Sequence, residues 1–184
     1  DPPNVARALA CGSLNEVMFL LQTGRVDLGF IGGAEIHRYG NLNTHCVAEH
    51  GRRVRLPGSG GAADIATMAK RCIVIMNHEK RRFVPEVRFV TSPGYGEGGD
   101  WRTQKGLSGG GPSRVITSMG IFSFASVTHE MILSSFHPGV SVDQIKNETG
   151  WPLRIADEIC ETIPPTEAEL AAVRKYDPNG VWTS

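Results

Sequence analysis

Gly61-Ala62-Ala63-Asp64-Ile65-Ala66-Thr67-Met68-Ala69-Lys70-Arg71, followed at once by Cys72-Ile73-Val74-Ile75-Met76, is the stretch on which the fold turns. Ala63, Ile65, Ala66, Met68 and Ala69 recur at helical spacing, and the pattern begins at a glycine turn. The residues from Cys72 to Met76 are all apolar and too few for a helix, which predicts a buried strand. A helix that hands directly to such a strand is half of a strand–helix–strand unit. Upstream, Val26-Asp27-Leu28-Gly29-Phe30-Ile31 is a short apolar run stopped by Gly32-Gly33, and it supplies the first strand. Units of this kind favour parallel pairing with right-handed crossovers, so the expected class is α/β.

Working outward, Leu14 to Leu21 carries apolar residues at helical spacing and stops at Gly24. Gly40-Asn41 reads as a turn. Arg53-Val54-Arg55-Leu56 alternates polar and apolar residues, as an edge strand does. Val87-Arg88-Phe89-Val90 reads as a further strand, stopped by Ser92-Pro93-Gly94. A glycine-rich loop then runs to about Pro112, and loops of that length are usually functional or mobile. Val115-Ile116-Thr117, Ile121-Phe122-Ser123-Phe124 and Met131-Ile132-Leu133 follow as strands, with a hairpin tip at Met119-Gly120. Ser141-Val142-Asp143-Gln144 is a capping-box pattern opening a short helix that ends at Gly150, with Pro152 beyond. Thr166-Glu167-Ala168-Glu169 repeats the device, and its helix sets Leu170 and Val173 on one face before Pro178. No internal repeat or linker divides residues 1–184. The expectation is a single domain: an open mixed sheet flanked by helices, with an antiparallel extension.

Composition narrows the function classes. Nineteen basic and nineteen acidic residues leave no net charge among 184. That is not the electrostatic footprint of a nucleic-acid binder. No apolar run approaches the ~20 residues of a membrane-spanning helix. The start, Asp1-Pro2-Pro3-Asn4, is neither a signal nor a transit peptide. Cys11, Cys46, Cys72 and Cys160 lie far apart with no CxxC or zinc spacing, as in a reduced cytoplasmic protein without a metal. Cys11, and Cys46 close to His45, are kept as candidate nucleophiles, which need a base and an orienting group. His37, His50, His78, His129 and His137 are scattered, as surface or core histidines are.

Pro57-Gly58-Ser59-Gly60-Gly61-Ala62-Ala63-Asp64 is the most chemical segment. Several glycines before a helix let backbone N–H groups approach an anion or a developing oxyanion. A tight turn without a ligand has equal weight. Gly58-x-Gly60-x-x-Ala63 also fits a loose dinucleotide fingerprint, with Glu79 after the following strand. The run before it, Arg52-Arg53-Val54-Arg55-Leu56, argues against that, because a dinucleotide fold's first strand is apolar on both faces. His78-Glu79-Lys80-Arg81-Arg82 reads as a solvated strand end, an anchor for phosphates or acidic substrates, or a subunit contact. Gly94-Tyr95-Gly96-Glu97-Gly98-Gly99 reads as a lid or a plain surface loop.

Taken in order, five segments resemble the β subunit of a family I CoA-transferase of the glutaconate type. They are Phe30 to His37 with Tyr39 to Asn43, Gly58 to Ala62, His78 to Phe83, Val90 to Gly94, and Glu148 to Leu153. The likeness runs from about Val26 to Asp177. It implies an obligate α subunit in a heterotetramer or larger assembly, with the active site between subunits. It implies coenzyme A as (co)substrate, no permanently bound cofactor, and CoA carried on a glutamate as a thioester. It places Gly58, Ser59, Gly60, Gly61, Ala62 and Asn41 at the substrate, CoA or oxyanion. The family's glutamate sits in a Glu-Ser-Gly or Glu-Asn-Gly motif that is missing here, and Glu97-Gly98-Gly99 falls in the wrong place. The resemblance therefore implies an N-terminally truncated subunit, with the catalytic residue expected upstream of Asp1. That segment is either cleaved, in which case it could be retained as a separate chain, or carries a replacement. Relatives without the glutamate hydrolyse or decarboxylate CoA thioesters, and a non-catalytic half-site is a third expectation.

Overall fold

The computed structural model describes residues 8–49 and 51–181. Chain order gives α1 (Leu14–Gln22), β1 (Gly29–Ile31), β2 (Glu35–Ile36), β3 (Leu42–Asn43), β4 (Cys46–Glu49), β5 (Arg52–Arg55), α2 (Ala62–Met68) and β6 (Cys72–Met76). There follow α3 (Trp101–Gln104), β7 (Pro112–Thr117), β8 (Gly120–Phe124), β9 (Met131–Phe136), α4 (Val142–Asn147), β10 (Arg154–Glu161) and α5 (Glu167–Tyr176).

Six strands form one mixed sheet in the order β1-β6-β7-β8-β9-β10. β1, β6 and β7 run parallel, with Gly29 opposite Cys72 and Ile73 opposite Arg114. β7, β8 and β9 then form the antiparallel extension, turning at Ser118-Met119, and β10 returns parallel to β9. The α/β expectation holds, and the helix Ala62–Met68 and the strand Cys72–Met76 stand where the opening stretch puts them. Alternation sends Ile31, Val74, Val115, Phe122 and Leu133 into the core, against Ile36, Leu42, Ala66, Phe83, Ile145 and Trp151. The opposite face is thinly covered: Phe30 is 59% and Ile75 52% exposed. β6 is therefore buried on one face only, not on both as its apolar run predicts.

Helix starts follow their caps. Thr166 forms a full capping box with Glu169, and Ser141 accepts from the Gln144 N–H. Ser13 and Glu16 make a further capping box at α1, spelled by Ser13-Leu14-Asn15-Glu16 but not among the expected helix signals. α5 buries no residue, so Leu170 and Val173 form no core contact face in this chain.

Two strand expectations change. Residues 87–90 form no strand. Pairing begins just after them, where the Leu42 N–H donates to the Ser92 carbonyl at 2.9 Å and the Thr91 N–H to the Leu42 carbonyl at 2.8 Å. Phe89 and Val90 are exposed because no sheet edge lies beside them. Conversely, β10 carries Arg154, Asp157, Glu158 and Glu161 on a strand with no buried position. Its polarity suits an edge that needs only one neighbour. The β5 expectation holds, but β5 pairs only with β4, in a separate two-stranded ribbon.

Candidate functional site

The glycine turn hangs from the base of the β4–β5 ribbon. The Leu56 N–H donates to the His45 carbonyl at 2.8 Å, and the Gly58 N–H to the Thr44 carbonyl at 2.9 Å. The turn then closes on itself, with the Ala62 N–H donating to the Ser59 carbonyl at 2.9 Å and the Ile65 N–H to the Gly61 carbonyl at 3.1 Å. Ser59, Gly60 and Gly61 keep backbone N–H groups without an acceptor among the described residues. Such donors at the start of a helix are what an oxyanion or a phosphate needs.

Glycine is required here unevenly. Gly58 has φ +94° and Gly60 φ +51°, both in the region that side chains avoid, with open space around each. Gly61 caps α2 at φ −78°, ψ −1°, which any residue adopts. A Cβ there would meet only the flexible end of Met18, at 3.0 Å. β5 settles the dinucleotide alternative. It is exposed throughout and lies outside the main sheet, whereas a dinucleotide turn leaves a buried central strand.

Asn41 has a structural task within this chain. Its side chain is buried. Oδ1 accepts from the Gly94 and Gly96 N–H groups at 3.0 and 3.1 Å. Nδ2 donates to the Gly96 carbonyl at 2.8 Å and faces His37 Nδ1 at 3.4 Å. An amide offers two donor and two acceptor sites, and three of these four are taken by the backbone of the 94–96 loop. Asn41 holds the 94–96 loop.

That loop is pinned elsewhere too, which favours the surface-loop reading over a lid. The Tyr95 N–H donates to the Tyr39 carbonyl at 2.8 Å, its hydroxyl to the Pro112 carbonyl at 2.9 Å, and its ring stacks on His129 at 4.2 Å. Sequence reading misses Arg102, which is buried and has no carboxylate partner among the described residues. It donates to the Gly94 and Gly109 carbonyls, each at 2.8 Å, and to the Ala66 carbonyl at 2.9 Å. Burial pulls its pKa below the usual arginine value. One arginine thus ties the 94–111 loop to α2. An arginine flanked by glycine clusters is the available signal, but its acceptors are backbone atoms that the sequence does not mark.

The basic run divides by role. His78 is buried, stacked on Phe83 at 3.8 Å, with Nε2 3.2 Å from Thr149 Oγ1. Burial pushes its pKa down to about 4, so it is neutral. Glu79 accepts from both Arg81 and Arg82. Cys46 is buried, the His45 ring packs on Phe89 at 5.0 Å, and Cys11 is exposed; no cysteine–histidine side-chain hydrogen bond occurs among the described residues. His50 lies outside the described residues. Glu97 is exposed, whereas Glu35 is buried against Asn43 Nδ2 at 2.6 Å. Among the described residues no three His, Cys, Asp or Glu side chains cluster as metal ligands would. None of the described helices is long and apolar enough to cross a membrane.

The chain belongs to the coenzyme A transferase family, whose description matches residues 1–148. It is 45% identical over 160 residues to a subunit of the 3-oxoadipate CoA-transferase of Pseudomonas knackmussii, covering 86% of this chain and 62% of that subunit. It is 38% identical over 150 residues to a subunit of the glutaconate CoA-transferase of Acidaminococcus fermentans, covering 80% and 56%. The crystal structure of the latter enzyme superposes with a TM-score of 0.83 at 32% identity, over 95% of this chain and 70% of that one. The chain therefore spans about three-fifths of the length of these curated relatives.

Proposed function

We propose that this chain is part of the β subunit of a heteromeric cytoplasmic enzyme that moves coenzyme A between carboxylic acids, with a dicarboxylic acyl group favoured. The supporting observation is the Gly58–Ala62 turn: a constrained segment holding the unpaired N–H groups of Ser59, Gly60 and Gly61, in a chain of the coenzyme A transferase family. Coenzyme A acts as (co)substrate, and an α subunit completes the site. A carboxylate outside residues 1–184 attacks the thioester carbonyl, the C–S bond breaks to give a mixed anhydride and CoA thiolate, and the thiolate then attacks the glutamyl carbonyl, releasing the first acid and leaving CoA on the glutamate; the second acid reverses these steps. The turn's N–H groups donate to the oxygen as it gains charge, the step at which such donors contribute most. Cytoplasmic placement rests on free cysteines that form no disulfide.

The test uses the full-length subunit with its α partner, incubated with acyl-CoA and no acceptor. Borohydride trapping and peptide mass analysis are expected to find a modified glutamate outside this segment. Modification of Glu35, Glu97 or another glutamate here overturns that placement. Release of carbon dioxide without an adduct assigns decarboxylation, and release of free acid and CoA assigns hydrolysis.

A further inference from the structure

The glycine turn hangs from two carbonyls, those of Thr44 and His45. Buried polar side chains fix the same two residues. Asn43 lies opposite Glu35 on the β2–β3 ladder and is fully buried. Its Oδ1 accepts from the His45 N–H at 2.9 Å and from the Cys46 N–H at 3.4 Å. Its Nδ2 donates to the Cys46 carbonyl at 2.7 Å and to Glu35 Oε2 at 2.6 Å. Both donors and both acceptors of the amide are thus engaged. Glu35 is only 5% exposed and makes no ion pair among the described residues. A carboxylate buried without a cation is costly, and this one is spent on holding Asn43. From the other side, Thr91 Oγ1 accepts the Thr44 N–H at 2.9 Å, lies 3.0 Å from the Thr44 hydroxyl, and donates to the Leu42 carbonyl at 3.1 Å.

Each carbonyl that holds the turn therefore belongs to a residue whose own N–H is clamped, Thr44 by Thr91 and His45 by Asn43. Backbone N–H groups serve an oxyanion only when they lie within about 3 Å of it, so the turn needs a support that does not yield. A buried network with every member satisfied is such a support. We infer that Glu35, Asn43 and Thr91 are positioning residues for the reaction: they fix Thr44 and His45, and through these the N–H groups of Ser59, Gly60 and Gly61. The inference rests on the reading of Gly58–Ala62 as the oxyanion site of a CoA-transferase. Glu35 also borders a cavity of about 220 Å³ with Arg81 and Arg82. A direct contact between its charge and the acyl group is therefore the competing role.

The test uses the full-length subunit assembled with its α partner. Sizing and thermal melting confirm assembly, and steady-state kinetics are measured below the melting transition. In Asn43→Ala, kcat and kcat/KM for acyl-CoA are expected to fall together by roughly tenfold or more, the pattern of a loss felt in the transition state. Glu35→Gln keeps an acceptor oxygen for Asn43 and is expected to recover most of the activity that Glu35→Ala loses. Adding Gly61→Val to Asn43→Ala should cost little beyond the larger single loss, because both act through one turn. Multiplied losses in that double variant overturn the inference, and so do wild-type kinetics in an assembled Asn43→Ala heteromer; the transferase reading survives either result. Glu35→Gln as poor as Glu35→Ala overturns it in favour of the direct contact. Should Asn43→Ala not assemble, Thr91→Val decides, since it removes the acceptor of the Thr44 N–H at nearly constant volume. Its kcat is expected to fall about threefold or more, and an unchanged kcat overturns the inference. Failure of both variants to assemble overturns it in favour of a purely structural role. A wild-type heteromer that converts no acyl-CoA sinks both readings.

Discussion

Gly60 and Gly61 are adjacent yet tolerate change differently. Gly60 sits at φ +51°, where a side chain strains the backbone by ~1–2 kcal/mol. Gly61 is helical in its angles, so a side chain there bends no backbone and displaces only the Met18 methyl. The expected result for Gly61→Val in the full heteromer is a near-normal melting temperature with kcat/KM for acyl-CoA down by up to roughly a hundredfold, because the valine keeps its N–H but its side chain crowds the thioester in front of the turn and moves the oxygen off its donors. Gly60→Val is expected to lose stability as well. Unchanged kinetics in a folded Gly61→Val heteromer would remove the turn from the chemistry. His78 supports a prediction about pH. Its pKa falls from the ordinary 6.5 to about 4 on folding, because burial disfavours the charged ring. The unfolded chain therefore binds the proton first as pH drops. The stability due to neutral His78 is complete above pH 6.5 and is lost as pH falls towards 4, by at most about 3 kcal/mol. His78→Phe can keep the stacking on Phe83 and cannot titrate. Melting temperatures from pH 7 to pH 4 are expected to fall less steeply in the variant; parallel curves would refute the assignment.

At the scale of elements, the 94–111 loop has the more testable architecture. Its shape depends on Arg102 and Asn41 satisfying backbone groups in their own neighbourhood and, for Arg102, on α2. Arg102→Ala would leave the Gly94, Gly109 and Ala66 carbonyls short of donors and open space beside α2, costing about 3 kcal/mol. Arg102→Lys is expected to rescue little, because an ammonium cannot span acceptors that a planar fork reaches together. Denaturant unfolding measures the loss, and limited proteolysis should cut both variants within the loop. Resistance equal to wild type would show that the loop holds without Arg102. The same scale explains where strand reading goes astray. β10 escapes it because charges suit an edge, and residues 87–90 mimic a strand because apolarity does not reveal whether a neighbouring edge exists.

For the whole molecule, the open sheet face matters most. α2 lies on the covered face, while Phe30 and Ile75 protrude from the other. Sheets with parallel strands are normally covered on both faces. On α1, Leu14, Val17 and Phe19 are exposed as well. Residues 1–184 produced alone are expected to self-associate or precipitate, and the full-length subunit is expected to co-elute with its α partner. Sizing with light scattering checks both, and a stable monomer of the isolated chain would count against the expectation. By itself the sequence determined the α2–β6 hand-off, the helix starts at Ser141 and Thr166 and the family, because each is written in neighbouring residues or in their order; the turn expected at Gly40-Asn41 lies just before them, at Arg38-Tyr39. Only the tertiary structure decided that Asn41 and Arg102 hold a loop, that β5 stands outside the main sheet and that Gly61 needs no special angle. Those facts depend on backbone partners many positions away, and a side chain's identity does not say which carbonyl or amide will lie within about 3 Å of it.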